Sequence, residues 1–482
     1  MVLNLSPVKI EGIDEKEARQ IEELIDVYQY HEGKNRTKDE YYEGKISLNS
    51  VNLGIALPDG MSRLEIGCSW GAKTVDVLAA RSRFDGFVSA NGTEQEEIRD
   101  IVSANNLTYE YMKACRDELK YGCTFVTLSA DAKMKCRIRF HSPRTAAALW
   151  SGEKGRIECG FAIIDTVKDE SKRGTYQPSL INFYTDDAIW ILRRDFGDYW
   201  IAEKKPHKMG RPLMEPLIWN ATSDKPLGRS RIKEPIRRLI DGYIRTLANA
   251  SIGLEFATSP QKYLLGLTDE QYDEVTKNKF KQYAGMMLAA TTNPDTGEEP
   301  KYGQLQQGTL APHVEMIRIL ATQFSAATGL SVIDTGVINE ANPTSSDAIL
   351  AQNQTLVAMA EQLNAGNGNT LRTIAQMALA IAKNKALDDL TDEEKDVIAH
   401  FKNPAMPSVA ATADAAIKIA SARENFASTD VFVEMVGFDQ ADIRRIKSEE
   451  QRERGLQLLT EIETDEAEEN ETLENIEEET EE

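Results

Sequence analysis

The sequence predicts an α+β fold, with helices and an antiparallel sheet in separate stretches of chain and not in alternation. Three observations predict it. Short β-branched and aromatic runs separated by turn residues crowd the chain between Cys123 and Lys204. Two segments of helical apolar period, Arg231–Phe256 and His313–Thr328, flank about fifty residues of turn-rich chain. From Thr344 onward the chain reads as helices followed by an acidic tail.

Taken in order, Asp14–Tyr30 puts Ala18, Ile21, Leu24, Ile25 and Tyr28 on one face, which predicts an amphipathic opening helix. The YYEGK that follows is its aromatic exit, with Tyr41 and Tyr42 expected in local core and not in contact with another chain. Glu94–Asn106 and Leu107–Gly122 predict two further helices, the second stopped at Gly122. Strands are then predicted in CTFVTLSA, KCRIRFHS, TAAALWSG, IECGFAIIDT, PSLINFYT, AIWILRR and DYWIAEK, between Cys123 and Lys204, forming an antiparallel sheet packed on the helices before it.

The next helix carries a stripe of Ile232, Ile236, Leu239, Tyr243, Leu247, Ala250 and Leu254, with Lys233, Arg237, Arg238 and Arg245 off it. Ser230 is its expected N-cap, Pro235 fits its first turn, and at 1.5 Å per residue it spans roughly 39 Å. A hairpin is expected beyond it: strand Met286–Thr292, a polar tip through Asn293, Asp295, Glu298 and Glu299, and a second strand from Lys301. A second helix follows Pro312, with Val314, Ile317, Ala321, Phe324 and Thr328 on its stripe and Gly329 as its left-handed cap. Leu330–Pro343 has no helical period and predicts a loop, ended by a helix capped at Thr344 or Ser345. That helix is expected to break at GNGNT, where Gly366 and Gly368 each cost about 1 kcal/mol relative to Ala, and to resume over Leu371–Lys385. DEEKDVIAHF, DAAIKIASARENF and Asp439–Ile462 complete a helical C-terminal bundle. The last stretch, Glu461–Glu482, has 13 acidic and no basic residues and is expected to be disordered.

Composition narrows the chemistry. A chain of 482 residues suggests about three domains. The five cysteines, Cys68, Cys115, Cys123, Cys136 and Cys159, are odd in number and contain no CxxC pair, so neither a disulfide framework nor a zinc site is supported. No signal peptide or membrane-length apolar run is read, and a soluble protein of a reducing compartment is expected. The net charge of -22 argues against a protein that grips nucleic acid, because phosphate contacts need cations. It does not exclude nucleic acid that is passed along without being held.

GCSWGAKT, Gly67–Thr74, is the main catalytic lure. As a phosphate loop it fails, because Ala72 separates Gly71 from Lys73. As a nucleophile elbow, G-x-S-x-G, it matches at Ser69, but no strand-helix alternation precedes it and no oxyanion glycine cluster lies upstream. A turn and helix start is the reading adopted. The five histidines are far apart in sequence and neither HExxH nor GxGxxG occurs, so a hydrolase at Ser69 and a metal-dependent nuclease stand only as alternatives.

PLGRSRI at 226–232, YLLGL at 263–267, PHVEMIRILATQFSAATGL at 312–330 and NPTSSDAI at 342–349 resemble the portal proteins of tailed bacteriophages, in particular the family of long-tailed phages of Gram-positive hosts. YYEGK at 41–45 and WGAKTVDVLAARSRFDGF at 70–87 resemble it too, in the same order, over Glu11–Lys385.

The resemblance implies a non-enzymatic subunit without cofactor or metal, in a ring of about a dozen copies at one capsid vertex. Residues 1–228 and 344–385 would form its wing, 229–257 and 313–328 a two-helix stem, 258–312 a clip, 386–460 a crown and 461–482 a tail. Residues 329–343 would be a tunnel loop, with Ser331, Val332, Ile333, Asp334, Thr335, Val337, Ile338, Asn339 and Glu340 at the constriction. Asn293, Asp295, Glu298, Glu299 and Lys301 would belong to the clip, and Lys233, Arg237, Arg238, Arg245, Ile317 and Phe324 to the stem, with the cations paired to neighbouring subunits or facing the wing. Expected partners are other copies, the terminase large subunit, a head-completion adaptor, the major capsid and scaffolding proteins, and double-stranded DNA as cargo, with no membrane. The expected place is the virion, after assembly in the host cytoplasm. Another ring-forming head-tail connector is the nearest alternative.

Overall fold

The strands between Cys123 and Ile218 build two sheets where one was expected, in a computed structural model that describes residues 2–3, 9–46, 66–89, 96–168, 175–195, 199–258, 262–265, 292, 297, 299, 301–304, 309–337, 346–405, 409–423, 425–438 and 442–460. By its contacts the chain divides into two compact units, 1–399 and 400–482.

Strands β1 (Val2–Leu3) and β2 (Lys9–Glu11) precede helix α1 (Glu15–Glu43). Helix α1 does not stop at Tyr30 but runs on through the paired tyrosines to Gly44, whose φ of 68° forms the left-handed cap. Helix α2 (Trp70–Ala79), strand β3 (Phe84–Val88), helix α3 (Glu96–Ala104) and helix α4 (Leu107–Tyr121) come next, the last closed by Gly122 at φ 113°. A Cβ at Gly122 would lie 3.0 Å from the Arg229 backbone, so glycine there serves both the cap and the close approach of the chain that enters the next long helix.

The predicted strands follow in order: β4 (Cys123–Asp131), β5 (Lys135–His141), β6 (Ala146–Ser151), β7 (Arg156–Lys168), β8 (Thr175–Tyr184), β9 (Ala188–Arg194) and β10 (Tyr199–Pro206). Strands β6 to β10 form an antiparallel meander extended by β2, which pairs parallel with β10, while β1 adds to β8. Helix α1 covers one face. Its Ile21, Leu24, Ile25 and Tyr28 pack with Phe161, Phe183, Trp190 and Trp200 in a continuous core. Strands β4 and β5 leave that meander and pair with β11 (Met214–Ile218), which the sequence reading did not assign. Pro216 concealed it, since proline is excluded from central strands; β11 is an edge strand, where a missing amide donor is tolerated.

Helix α5 (Glu234–Thr258) leads to a short antiparallel pair, β12 (Lys262–Leu265) with β13 (Lys301–Gln304). Lys301 therefore does lie on a strand, but its partner strand is KYLL, not Met286–Thr292; residues 286–291 lie outside the described residues. Helix α6 (Ala311–Thr328) carries Pro312 within its first turn and ends at Gly329, φ 73°.

Helix α7 (Ser346–Ala382) is continuous through GNGNT, which overturns the expected break. Leu363, Leu371, Ile374 and Met377 are all essentially buried, worth about 1.5–3 kcal/mol each against about 1 kcal/mol for each glycine. Asn367, at the centre of the presumed break, is fully buried and donates to Glu118 Oε2 at 2.8 Å and Tyr111 Oη at 2.9 Å. Polar groups that read as a turn are in fact a buried tie to α4.

DEEKDVIAHF is one helical turn, α8 (Asp392–Lys395), and a strand, β14 (Ile398–Phe401), not a helix. Leu390 and Val397 are buried, and Lys383 bridges Glu97 and Glu394 at 2.7 Å each. Residues 386–399 therefore belong to the first unit, and the boundary lies after Ala399 rather than at Ala386. The second unit holds helices α9 (Val409–Ala422) and α10 (Asp430–Val436) and a helix over residues 442–460 (α11). Residues 461–482 lie outside the described residues.

Candidate functional site

Helix α5 has a buried edge of Ile236, Ile240, Ile244 and Ala248 at strict steps of four, continued one step back by Ile232 in the turn before it. The expected stripe was rotated from it: Leu239, Tyr243 and Leu247 flank the edge, and Leu254 is 50% exposed. The steps of four follow from packing on several elements at once, including α2 and α6. Ser230 is not the N-cap. Its hydroxyl donates to Lys120 O and accepts from the Ile232 amide, fixing the turn ahead of the helix.

Helices α5 and α6 run antiparallel and close together. A Cβ on Gly242 or on Gly253 would meet Leu320 or Leu310, each at 3.3 Å. Phe324 is fully buried and Ile317 half-buried, but Val314, Met316 and Ile319 are 49%, 43% and 44% exposed. The pair is therefore sealed at the Gly329 end and apolar on its surface at the other.

The sealed end is a junction of three ties. The Trp70 ring lies between Phe324, 4.6 Å away and stacked, and Tyr243 at 4.3 Å, and its indole nitrogen donates to Thr335 O at 3.1 Å. Arg231 is buried without a carboxylate partner among the described residues. Its guanidinium donates to Thr74 O at 2.6 Å and to Thr328 O at 2.7 Å and packs 5.7 Å from the Trp219 ring. Burial pulls its pKa down to about 10, which still leaves it charged at neutral pH, and its acceptor Thr328 O lies at the C-terminal, negative end of the α6 dipole. Tyr41 and Tyr42 donate to Asp241 at 2.7 Å and Asp76 at 2.9 Å, so both are intrachain ties, as the local reading held.

The loop after α6 starts from this junction. Leu330 is buried, Ser331 donates through its amide and hydroxyl to Asp334 Oδ2 at 3.0 and 2.7 Å, and Ile333–Thr335 makes one 3₁₀ turn ended by Gly336 at φ 80°. Lys73 donates to Asp334 O. Val332 and Val337 are half-buried and Ile333 is 54% exposed, so these residues form neither a strand nor a buried plug. Ile338, Asn339 and Glu340 lie outside the described residues, as do Asn293, Asp295 and Glu298; Glu299 and Lys301 are exposed.

The four cations expected on the first stem helix divide, with Lys233 just ahead of α5 and the other three on it. Arg238 pairs with Glu234 at 2.6 Å and Arg245 is exposed, whereas Lys233 and Arg237 line a cavity against the second half of α1. Ser69 is exposed at the start of α2, and Ile66–Cys68 before it are not a strand, so an elbow's strand-turn-helix is absent among the described residues. All five cysteines are buried thiols, no acid-histidine-cysteine group among the described residues could hold a metal, and no described helix is long and apolar enough to cross a membrane. Sequence reading missed Trp70, Arg231, Glu118 and Asn367. A tryptophan and a lone arginine beside helix starts are the only signals it had.

A family model described as phage portal protein, SPP1 Gp6-like, matches residues 10–456. No curated protein matches the sequence. Among solved structures, the chain is similar to one in the virion of a native gene transfer agent particle (10% identity, TM-score 0.45, covering 84% of this chain and 93% of that one). It is also similar to a chain from the neck of that native particle computed with C12 symmetry (11% identity, TM-score 0.43, 77% and 89% covered).

Proposed function

The chain belongs to the family of SPP1 Gp6-like phage portal proteins, and from that premise we propose how its elements serve a ring at one capsid vertex. Helices α5 and α6 act as the stem, residues 259–310 with the β12–β13 pair as the clip, and the loop from Leu330 as the constriction around the passing genome. The observation that carries this reading is the helix pair, tied at one end by Arg231 and Trp70 and bearing uncovered Leu254, Val314, Met316 and Ile319 at the other. Apolar surface left open on one chain is the usual sign of a partner surface, and a channel built from one repeated chain requires neighbours there.

The rest of the chain completes the role. The two sheets with α1, α4 and α7 form the wing, residues from His400 the crown, and about twelve copies close the ring. The loop's described residues, 330–337, include no Lys or Arg; Asp334 accepts from Lys73 of α2 through its carbonyl and from Ser331 through its carboxylate, so these residues offer no cation to hold phosphates. Energy for packaging comes from a separate terminase docking at the clip. Assembly takes place in the host cytoplasm, with scaffolding, capsid and adaptor proteins as later partners. Native mass spectrometry of the purified chain tests the reading: closed rings of about a dozen copies are expected, and a monomer at high concentration would overturn it.

A further inference from the structure

The cavity between the second half of α1 and the chain entering α5 has a volume of about 830 Å³. It is lined by six cations, Lys34, Lys38, Lys225, Arg229, Lys233 and Arg237, in a protein whose net charge is -22. The one carboxylate among its described lining residues, Glu234, is already taken by Arg238 at 2.6 Å. Lys38 donates to Asn35 Oδ1 and Tyr121 O, Lys34 rests on the Tyr30 ring at 3.6 Å, and Arg229 shares Asp224 at 3.2 Å. Lys225 and Lys233 are exposed and have no ion pair among the described residues. Such a concentration of like charge is unfavourable unless something anionic covers it.

Helix α1 itself carries the complement. Glu22, Glu23 and Asp26 are exposed on its first half and form no ion pair among the described residues. Glu22–Asp26 and Lys34–Lys38 stand twelve residues apart on α1, roughly 18 Å along the helix at 1.5 Å per residue. One helix thus presents carboxylates along its first half and lines a cationic cavity with its second. A heterologous, closing interface joins one patch of a subunit to a different patch of the next, which is the arrangement these two halves supply.

Building on the portal reading, we infer that the cavity receives the carboxylate-bearing first half of α1 from the adjacent copy in the ring. The floor favours a protein occupant, since Tyr28, Phe125 and Ala147 offer apolar contact that a run of phosphates would not use. A duplex also presents its phosphates on a broad convex surface, which a recessed cavity does not fit.

The test is a charge swap read by native mass spectrometry. Lys34→Glu with Lys225→Glu and Lys233→Glu should reduce the ring fraction at least tenfold with helical content unchanged, and so should Glu22→Lys with Glu23→Lys and Asp26→Lys. Combining both sets in one chain, or mixing the two variants in equal amounts, should restore rings, because every interface again pairs opposite charges. Rings that persist in both variants, or that no combination restores, would overturn the inference. Rings that persist while salt-sensitive duplex binding disappears would instead assign the cavity to phosphates. A wild-type chain that never forms rings would count against the portal reading, and so separates that failure from this one.

Discussion

Replacing Glu118 by Gln changes only the charge state of a group that the fold encloses completely. Glu118 Oε2 accepts from Asn367, Oε1 has no partner among the described residues, and burial raises the carboxyl pKa from 4.5 to about 8. The folded chain therefore keeps a proton that the unfolded chain releases near pH 4.5, so the folded state binds more protons between those values. Stability from this group is fully present below pH 4.5 and is lost as pH rises through 8, at about 1.4 kcal/mol per pH unit. From pH 5 to pH 8 the loss is on the order of 4 kcal/mol. A glutamine has no proton to lose, and its amide can donate to Asn367 Oδ1, which otherwise lacks a partner. The assay is the urea midpoint of wild type and variant across this range. His31, His141 and His207 titrate in both proteins and cancel in the difference, while the neighbouring Cys115 and Tyr111 stay protonated because burial raises both. The variant should gain on the wild type steadily as pH rises. Parallel curves from pH 5 to pH 8 would refute the reasoning.

Two further outcomes follow from the junction. Trp70→Ala removes a side chain packed between Tyr243 and Phe324 and should cost about 3–5 kcal/mol in denaturant unfolding. Trp70→Phe should spare most of that while speeding hydrogen exchange at residues 331–337, because Thr335 O loses its donor. Lysine at Asp334 and Glu340 should leave ring assembly intact but impair DNA packaging or retention; normal packaging would mean that the loop is not a constriction.

Long apolar patterns were legible, and single polar residues that act at a distance were not. The strands from Cys123 to Lys204, the Gly122 and Gly329 caps and the helix pair were all readable because period and cap chemistry are local. The end of α1 was not, because beyond Tyr28 the helix lines the cationic cavity and carries few apolar residues to mark its period. GNGNT was misread because a local glycine cost is small beside burial against α4, which no local window contains. The partner of KYGQ was misassigned for a related reason: a turn signal at Asn293–Pro300 favours the nearest strand, whereas KYLL lies some forty residues back. Of the proposed site, the sequence showed the helices and the loop, but not what holds them together.

What holds them together also limits how they can move. Arg231 sits just before α5 yet donates to the last turn of α6 and to α2, and Trp70 on α2 touches α5, α6 and the loop. Sliding α5 against α6 would leave a buried guanidinium without its carbonyl acceptors, at a cost larger than that of losing one neutral hydrogen bond. At the far end the contacts are different in kind. There Gly253 meets the end of a flexible leucine side chain, and Val314, Met316 and Ile319 are open to solvent, so rotation loses little specific bonding within the chain. Motion of the α5–α6 pair relative to the sheets should therefore pivot about the Arg231–Trp70 junction, with the largest displacement at the end that leads to β12 and β13. The loop, attached to the same junction through Thr335 and Asp334, would change direction with little change in its distance from the pivot.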